Sequence, residues 1–141
     1  MVSVSRFEDL ECWKTARELV RLVYKYSEKG GLAKDYGFRN QICRAAVSIM
    51  SNIAEGFESQ TQGKFTDYLG HAKASAGEVR SQLYAAVDLG YLSKEQFAKS
   101  LTLVQMCSKQ IHGLISYLKS IPNSYRIREE GTEYQLDIDQ P

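Results

Sequence analysis

Two polar stripes hold the residues that are best suited to chemistry, and each stripe falls on one predicted helix. With residues spaced at 100° intervals, the first stripe consists of Gln41, Arg44, Ser48, Asn52 and Glu55, and the second of His71, Ser75, Glu78 and Gln82. General acid–base catalysis needs two titratable groups within reach of one substrate, and Glu55 with Glu78 are the only candidate pair. We expect the stripes to face each other as a structural network that fixes helix register, with Arg44 paired to one of these carboxylates. A ligand pocket and plain solvent exposure are the alternatives.

Motifs of catalytic or metal centres do not occur in the sequence. His71 and His112 fall on different predicted helices, and neither has an HxxxH or ExxH partner at the spacing of metal ligands. There is no glycine-rich phosphate loop and no nucleophile elbow. Cys12, Cys43 and Cys107 are widely spaced among apolar neighbours, where cysteine usually behaves as a small buried hydrophobe. We therefore expect no enzymatic activity, no metal ion and no cofactor.

A third stripe, on the first predicted helix, is basic. Its members are Lys14, Arg17, Arg21 and Lys25, and they centre opposite the apolar side that carries Trp13, Ala16, Val20 and Val23. Repeated around a ring of subunits, this basic stripe would form a belt suited to contacts with nucleic-acid phosphates. An ordinary solvated helix face is the alternative, because Glu11, Glu18 and Glu28 border the stripe.

The composition is that of a globular chain, with 43% hydrophobic and 25% charged residues. No apolar run approaches the roughly 20 residues that span a bilayer, and residues 1–8 lack the plan of a secretion signal. We expect a cytoplasmic protein built from one domain.

Charge is distributed unevenly along the 141 residues, although the net charge is only +1. Residues 1–122 hold 16 Lys and Arg against 12 Asp and Glu, whereas residues 123–141 hold two Arg against five acidic residues. This predicts a domain over 1–122 and an acidic tail over 123–141, with a charge balance far from that of a typical nucleic-acid-binding protein. We expect an extended tail that docks on a neighbour through Tyr134, Leu136 and Ile138 on one side of a strand-like arm.

Four helices follow from apolar periodicity and from helix start and stop signals. The first helix covers residues 9–29 and is capped by Gly30-Gly31, and the second covers residues 35–57 with Asp35 as its N-cap. A capping box, Ser59-x-x-Gln62, opens the third helix, which Gly90 closes. A second box, Ser93-x-x-Gln96, opens the fourth helix, which ends before Pro122. Long helices joined by short loops predict an all-α fold, an antiparallel up-down-up-down four-helix bundle.

Two features of the middle helices predict contact with another subunit. Within residues 42–57 only Arg44 and Glu55 are charged, so the second helix lacks a broad polar face, and we expect Val47 and Met50 at an interface. The third helix carries a stripe of small residues that faces away from its own core, made of Gly63, Gly70, Ala74, Gly77 and Ser81. Glycine inside an exposed helix costs about 1 kcal/mol relative to alanine. A closely approaching partner helix is the expected compensation, and simple tolerance of the cost is the alternative.

Several of these segments together resemble one known family. The strongest is residues 41–56, QICRAAVSIMSNIAEG, accompanied by Phe7-x-Asp9-Leu10-x-x-Trp13-Lys14-x-Ala16, Tyr36-Gly37-Phe38, Ser75-x-x-Glu78-x-x-x-Gln82-Leu83 and Leu89-Gly90-Tyr91-Leu92. Over about residues 6–120 the chain resembles the bacterial 23S rRNA intervening-sequence proteins, often called four helix bundle proteins. It departs from them at Met50, where members often carry proline, and at Ala74, where glycine is usual.

The resemblance implies an antiparallel four-helix bundle that assembles as a ring, typically a homopentamer, with no enzymatic activity. Some members are encoded within insertions in the rRNA gene, and relatives of the same fold are retroelement accessory proteins that bind nucleic acid and a reverse transcriptase. We therefore expect a non-enzymatic oligomeric binding or scaffold protein with nucleic acid as its partner. A purely structural assembly module that binds another protein, without a nucleic-acid role, is the alternative.

Overall fold

The computed structural model describes residues 3–122 and the backbone of residues 136–137, and four long helices make up most of it. In chain order the elements are β1 (Ser3–Val4), a 3-10 turn (Phe7–Asp9), α1 (Glu11–Tyr26), α2 (Gly30–Lys34), α3 (Tyr36–Glu58), α4 (Gln62–Asp88), α5 (Lys94–Ser120) and β2 (Leu136–Asp137). The predicted all-α class is confirmed, apart from a two-residue antiparallel ribbon in which Ser3 pairs with Asp137 and Val4 with Leu136. No helix in this described part is long and apolar enough to cross a membrane.

Helix starts follow the predicted signals at α3 and α5. The Asp35 carboxylate accepts a hydrogen bond from the Phe38 N–H at 3.2 Å and so caps α3. At α5 both bonds of the predicted capping box are present: the Gln96 N–H donates to Ser93 Oγ at 3.1 Å, and the Ser93 N–H donates to Gln96 Oε1 at 2.9 Å. Each cap satisfies backbone N–H groups that the first helical turn leaves without a partner.

Two predicted helix boundaries are wrong. α1 ends at Tyr26 rather than near residue 29, and Gly30, with a φ of 67°, opens the short helix α2 instead of capping α1. The box predicted at Ser59 does not form, because Gln60 takes a left-handed φ of 66° and places Ser59 at the end of α3. Thr61 caps α4 instead, accepting a bond from the Lys64 N–H at 3.2 Å.

Gln62 does not take part in a capping box, and its side chain instead connects α4 to α5. Its side-chain amide donates to the carbonyls of Leu118 and Ile121, at the end of α5. These carbonyls have no partner within their own helix. The first residue of α4 therefore supplies the C-terminal cap of α5.

The core lies between the four long helices, since α1 and α4 each pack against both α3 and α5. The apolar side of α4 is buried throughout: Phe65, Leu69, Ala72, Ala76, Val79, Leu83 and Ala86 are at most 1% exposed. Full burial of a side chain such as Phe or Leu contributes roughly 1.5–3 kcal/mol. The arrangement is a helical bundle around one continuous core.

The α3–α4 contact is tightest at Gly56. A Cβ built on Gly56 would lie 2.7 Å from Tyr68 Cβ and 3.0 Å from Phe65 Cδ1. The ring of Phe65 meets that of Phe57 edge-on, with 5.8 Å between centroids. The two helices approach this closely only because residue 56 has no side chain.

A second close contact joins the start of α3 to the turn before α5. The Tyr91 hydroxyl donates to Asp35 Oδ2 at 2.8 Å, and the Tyr91 ring meets Phe38 edge-on at 5.9 Å. A Cβ on Gly31 would lie 2.6 Å from the same ring. Residues from two of the family-like segments, Phe38 and Tyr91, thus hold one end of the bundle together.

Candidate nucleic-acid and assembly surfaces

The polar stripes of α3 and α4 meet through their small members. Ser48 Oγ lies 3.0 Å from Ser75 Oγ, and the Asn52 side-chain amide donates to the Ser48 carbonyl at 2.8 Å and to Ser48 Oγ at 3.0 Å. All three side chains are half-buried between the helices. This cluster can form only in one register of α3 against α4, so it acts as a structural polar network.

The charged members of the stripes do not join that network. Among the described residues, Arg44 forms no ion pair with Glu55 or Glu78, and all three are exposed. The expected ion pair is therefore wrong: small Ser48 and Ser75 close the interface, and the longer charged side chains lie outside it in solvent. Gln41 is also exposed, and the buried Gln82 Oε1 has no hydrogen-bond partner within the described part.

A cleft of about 630 Å³ at the α3–α4 turn gathers titratable side chains. It is lined by Glu55, Glu58, Ser59, Lys64, Asp67, Tyr68 and His71. The candidate acid–base pair is not assembled there, because Glu55 lines the cleft and Glu78 does not. No group of three His, Cys, Asp or Glu side chains in the described part of the chain is placed to hold a metal ion.

All four residues of the basic stripe of α1 are exposed, but acidic neighbours share its charge. Lys14 Nζ lies 3.5 Å from Glu11 Oε1, and Arg21 Nη1 lies 3.8 Å from Glu18 Oε1. Such exposed pairs contribute little to stability and leave the cations free to exchange partners. The other two residues of the stripe do not pair with an acidic neighbour. The Arg17 guanidinium lies 5.7 Å from the Trp13 ring centroid in a cation–π contact. Lys25 pairs with no carboxylate in the described part of the chain.

The small-residue stripe of α4 faces away from the core, as its spacing predicts. Gly63, Gly70, Ala74, Gly77 and Ser81 are all exposed. No heavy atom lies within 4 Å of a Cβ built on any of the three glycines. On α3, Val47 is 36% exposed, whereas Met50 is half-buried against the core. The stripe and Val47 therefore offer surface to a partner, and Met50 offers little.

A second basic surface escaped the sequence analysis. Lys73 and Arg80 of α4 line a groove that they share with Lys109 of α5, and His112 extends it. Each helix alone shows only scattered cations, so periodicity along one helix does not reveal the groove. The sequence does contain one indication of this surface: α5 carries four lysines and a single acidic residue, Glu95.

Comparison with known proteins gives matches of two kinds. A family model described as 23S rRNA-intervening sequence protein matches residues 8–113. A crystal structure of a protein of unknown function from the S23 ribosomal protein family of Bacteroides thetaiotaomicron has 25% sequence identity and a TM-score of 0.67, covering 77% of this chain and 96% of that one. Among curated proteins, none matches the chain.

Proposed function

The chain belongs to the 23S rRNA-intervening sequence protein family, as its motifs predicted, and from that premise we propose that it is a non-enzymatic protein that assembles with its own copies and binds nucleic acid. Family membership alone supplies no activity, since the similar crystal structure is itself of unknown function. One observation carries the proposal: charge is segregated between two sides of the helical bundle.

α1 and α5, which pack together, form the basic side. They hold Lys14, Arg17, Arg21, Lys25, Lys94, Lys99, Lys109 and Lys119 against Glu11, Glu18 and Glu95. α3 and α4 form the balanced side, with Arg39, Arg44, Lys64, Lys73 and Arg80 against Glu55, Glu58, Asp67, Glu78 and Asp88. A net charge of +1 for the whole chain hides this difference. Phosphates are attracted to the first side, while copies of the chain can meet through the second without charge repulsion.

The same proposal gives the bundle an up-down-up-down, antiparallel arrangement of α1, α3, α4 and α5. Residues 59–61 join α3 to α4 and residues 89–93 join α4 to α5, and connections this short favour reversal of direction between neighbouring helices. α2 lies in the connection from α1 to α3. In this arrangement the exposed faces of α1 and α5 are adjacent and form one continuous basic surface.

Assembly uses Val47 of α3 and the small-residue stripe of α4, and a closed ring such as a homopentamer would repeat the basic side around its circumference. The open small-residue stripe and the exposed Val47 support this part of the proposal. Interior glycines that no atom of the same chain approaches give a partner helix room to pack backbone against backbone.

The assembly proposal is tested by Gly70→Leu combined with Gly77→Leu. Bulky side chains in a close helix contact should dissociate the oligomer, read by light scattering, while circular dichroism shows unchanged helicity. A matched control, Ala98→Leu with Ser116→Leu, adds two leucines to exposed positions of α5 and should leave the mass unchanged. An oligomer that survives the glycine substitutions would place the subunit contact elsewhere.

The nucleic-acid proposal is tested by binding of a labelled RNA hairpin and a DNA duplex across a salt series. Affinity should fall steeply with salt, because bound cations displace counterions from phosphates. Replacing Lys14, Arg17, Arg21 and Lys25 by alanine should weaken binding, whereas the control Lys34, Arg39, Arg44 and Lys64 to alanine, which removes the same charges from α2, α3 and α4, should not. Absence of binding by the unaltered protein at low salt would favour the alternative, a structural module that binds another protein.

A further inference from the structure

The groove between α4 and α5 is a basic concave surface. It consists of two adjoining depressions of about 350 and 390 Å³ that share Lys73, Ser108 and Lys109. Arg80 lies at one end and His112 at the other. Two helices thus contribute cationic side chains to one channel.

No carboxylate among the described residues lines this groove. Lys73, Arg80 and Lys109 form no ion pair with any described residue, unlike Lys14 and Arg21 of the basic stripe. The nearest acidic residues along α4, Asp67 and Glu78, lie roughly 120–140° around the helix from Lys73. Like charges that face one another without a counterion repel, so an external anion would stabilise this arrangement.

Glycines flank the cations on both helices. Gly77 lines one depression and Gly113 the other, and a Cβ on either would meet no heavy atom within 4 Å. Neither glycine is therefore required by packing, in contrast to Gly56, and each weakens its helix relative to alanine. At position 113, the absence of a side chain leaves room for a ligand to approach the helix backbone.

We propose that this groove binds the sugar–phosphate backbone of a nucleic-acid strand, with Lys73, Arg80 and Lys109 on separate phosphates and Gly113 beneath the strand. This inference rests on the proposed nucleic-acid function and names a second binding surface for it. Lys73 and Arg80 are seven residues apart, which is about 10 Å along a helix, and B-form DNA rises about 3.4 Å per phosphate of one strand. The two side chains are therefore far enough apart to contact separate phosphates of one strand.

The first test removes the charge. Lys73→Ala, Arg80→Ala and Lys109→Ala are combined, and binding of the RNA hairpin and the DNA duplex is measured by fluorescence anisotropy at several salt concentrations. For duplex DNA, the slope of log affinity against log salt should become shallower by roughly 0.9 for each phosphate that the variant no longer neutralises. The control Lys34→Ala, Arg44→Ala and Lys64→Ala has the same change in net charge and should keep the slope of the unaltered protein.

The second test fills the groove and leaves every charge in place. Gly113→Leu should strengthen the helix and weaken RNA binding at least tenfold, because the side chain occupies the space of the strand. Unchanged affinity in this variant or in the triple variant would overturn the groove proposal, and binding that still depends on the basic stripe would leave the proposed function standing.

Three further outcomes would also overturn the groove proposal. If the unaltered protein binds neither probe, the proposed function and the groove fall together. If Gly113→Leu dissociates the oligomer in light scattering, the groove is a subunit contact. If poly-glutamate binds the groove and neither nucleic acid does, the groove is a docking surface for an acidic protein segment.

Discussion

Burial governs the chemistry of the two thiols where α1 meets α5. The Cys107 thiol donates to the Cys12 carbonyl at 3.6 Å, and both side chains are buried. Burial, with a smaller contribution from the neighbouring Cys107, raises the pKa of Cys12 to about 12, and burial raises the pKa of Cys107 to about 12. Both groups therefore stay protonated in the folded chain at physiological pH and act as small hydrophobes, as their apolar neighbours in the sequence predicted.

These pKa values predict how the thiols react and how stability depends on pH. In the native protein at pH 8, Cys12 and Cys107 should not react with a thiol-specific disulfide reagent, and both should react after denaturation. Between pH 9 and 12 the unfolded thiols ionise while the folded ones do not, so the unfolded state binds fewer protons and the free energy of unfolding should fall as pH rises. The fall approaches about 1.4 kcal/mol per pH unit for each thiol.

Urea unfolding measured from pH 8 upward checks this dependence. A Cys12→Ala, Cys107→Ala variant should show a flatter fall over the same range, because it lacks the two groups that titrate differently in the two states. Rapid labelling of Cys12 or Cys107 in the native protein at pH 8 would contradict the burial of these thiols.

For individual side chains, the sequence predicts the helix face on which a residue lies better than it predicts the partner that the residue contacts. The spacing of Ser48, Asn52 and Ser75 placed them correctly on facing polar stripes, and the structure joins them. The partner assigned to Arg44 was wrong, because periodicity gives the direction of a side chain around its own helix and not its distance from the next helix. Lys73 of α4 and Lys109 of α5 line one groove because the two helices pack side by side, and the sequence of either helix alone does not show this packing.

Among the helices, the contact between α3 and α4 shows how one missing side chain sets an interhelical distance. Gly56 meets Tyr68 and Phe65 where a Cβ would overlap them, while Gly113 on α5 faces open space. Replacing glycine by alanine at these two positions should therefore change the free energy of unfolding in opposite directions. Sequence reasoning assigned close helix contact to Gly63, Gly70 and Gly77, since their regular spacing is visible, whereas Gly56 stands alone and its tight contact depends on the partner helix.

Gly56→Ala should lower the free energy of unfolding by about 1–3 kcal/mol, the usual cost of overpacking a core. Gly113→Ala should raise it by up to about 1 kcal/mol through helix propensity. Urea titrations of the two variants at one protein concentration provide the comparison. If Gly56→Ala proves as stable as the unaltered protein, α3 and α4 can separate at this point and the tight contact is not essential.

For the molecule as a whole, sequence reasoning predicted the helical class and the caps at Asp35 and Ser93. These depend on local signals: apolar spacing and side chains that bond their own backbone. It missed α2 and the true start of α4, because left-handed turns at Gly30 and Gln60 redirect the chain within a few residues. Of the predicted acidic tail, only the backbone of residues 136–137 is described; it pairs with β1 of the same chain, and the rest lies outside the described residues.

The unequal charge of the two sides of the bundle also bears on how fast a complex forms. At 0.1 M salt, Coulomb attraction extends about 10 Å into solution. A protein molecule that diffuses toward a polyanion would therefore orient its α1 and α5 side toward the polyanion before the two make contact. More collisions then begin in a productive orientation. Added salt should therefore lower the association rate constant, and it should change the dissociation rate constant less, because short-range contacts dominate dissociation. In a ring whose subunits meet through α3 and α4, this attraction would point outward in every direction, and capture would not depend on the side from which the polyanion arrives.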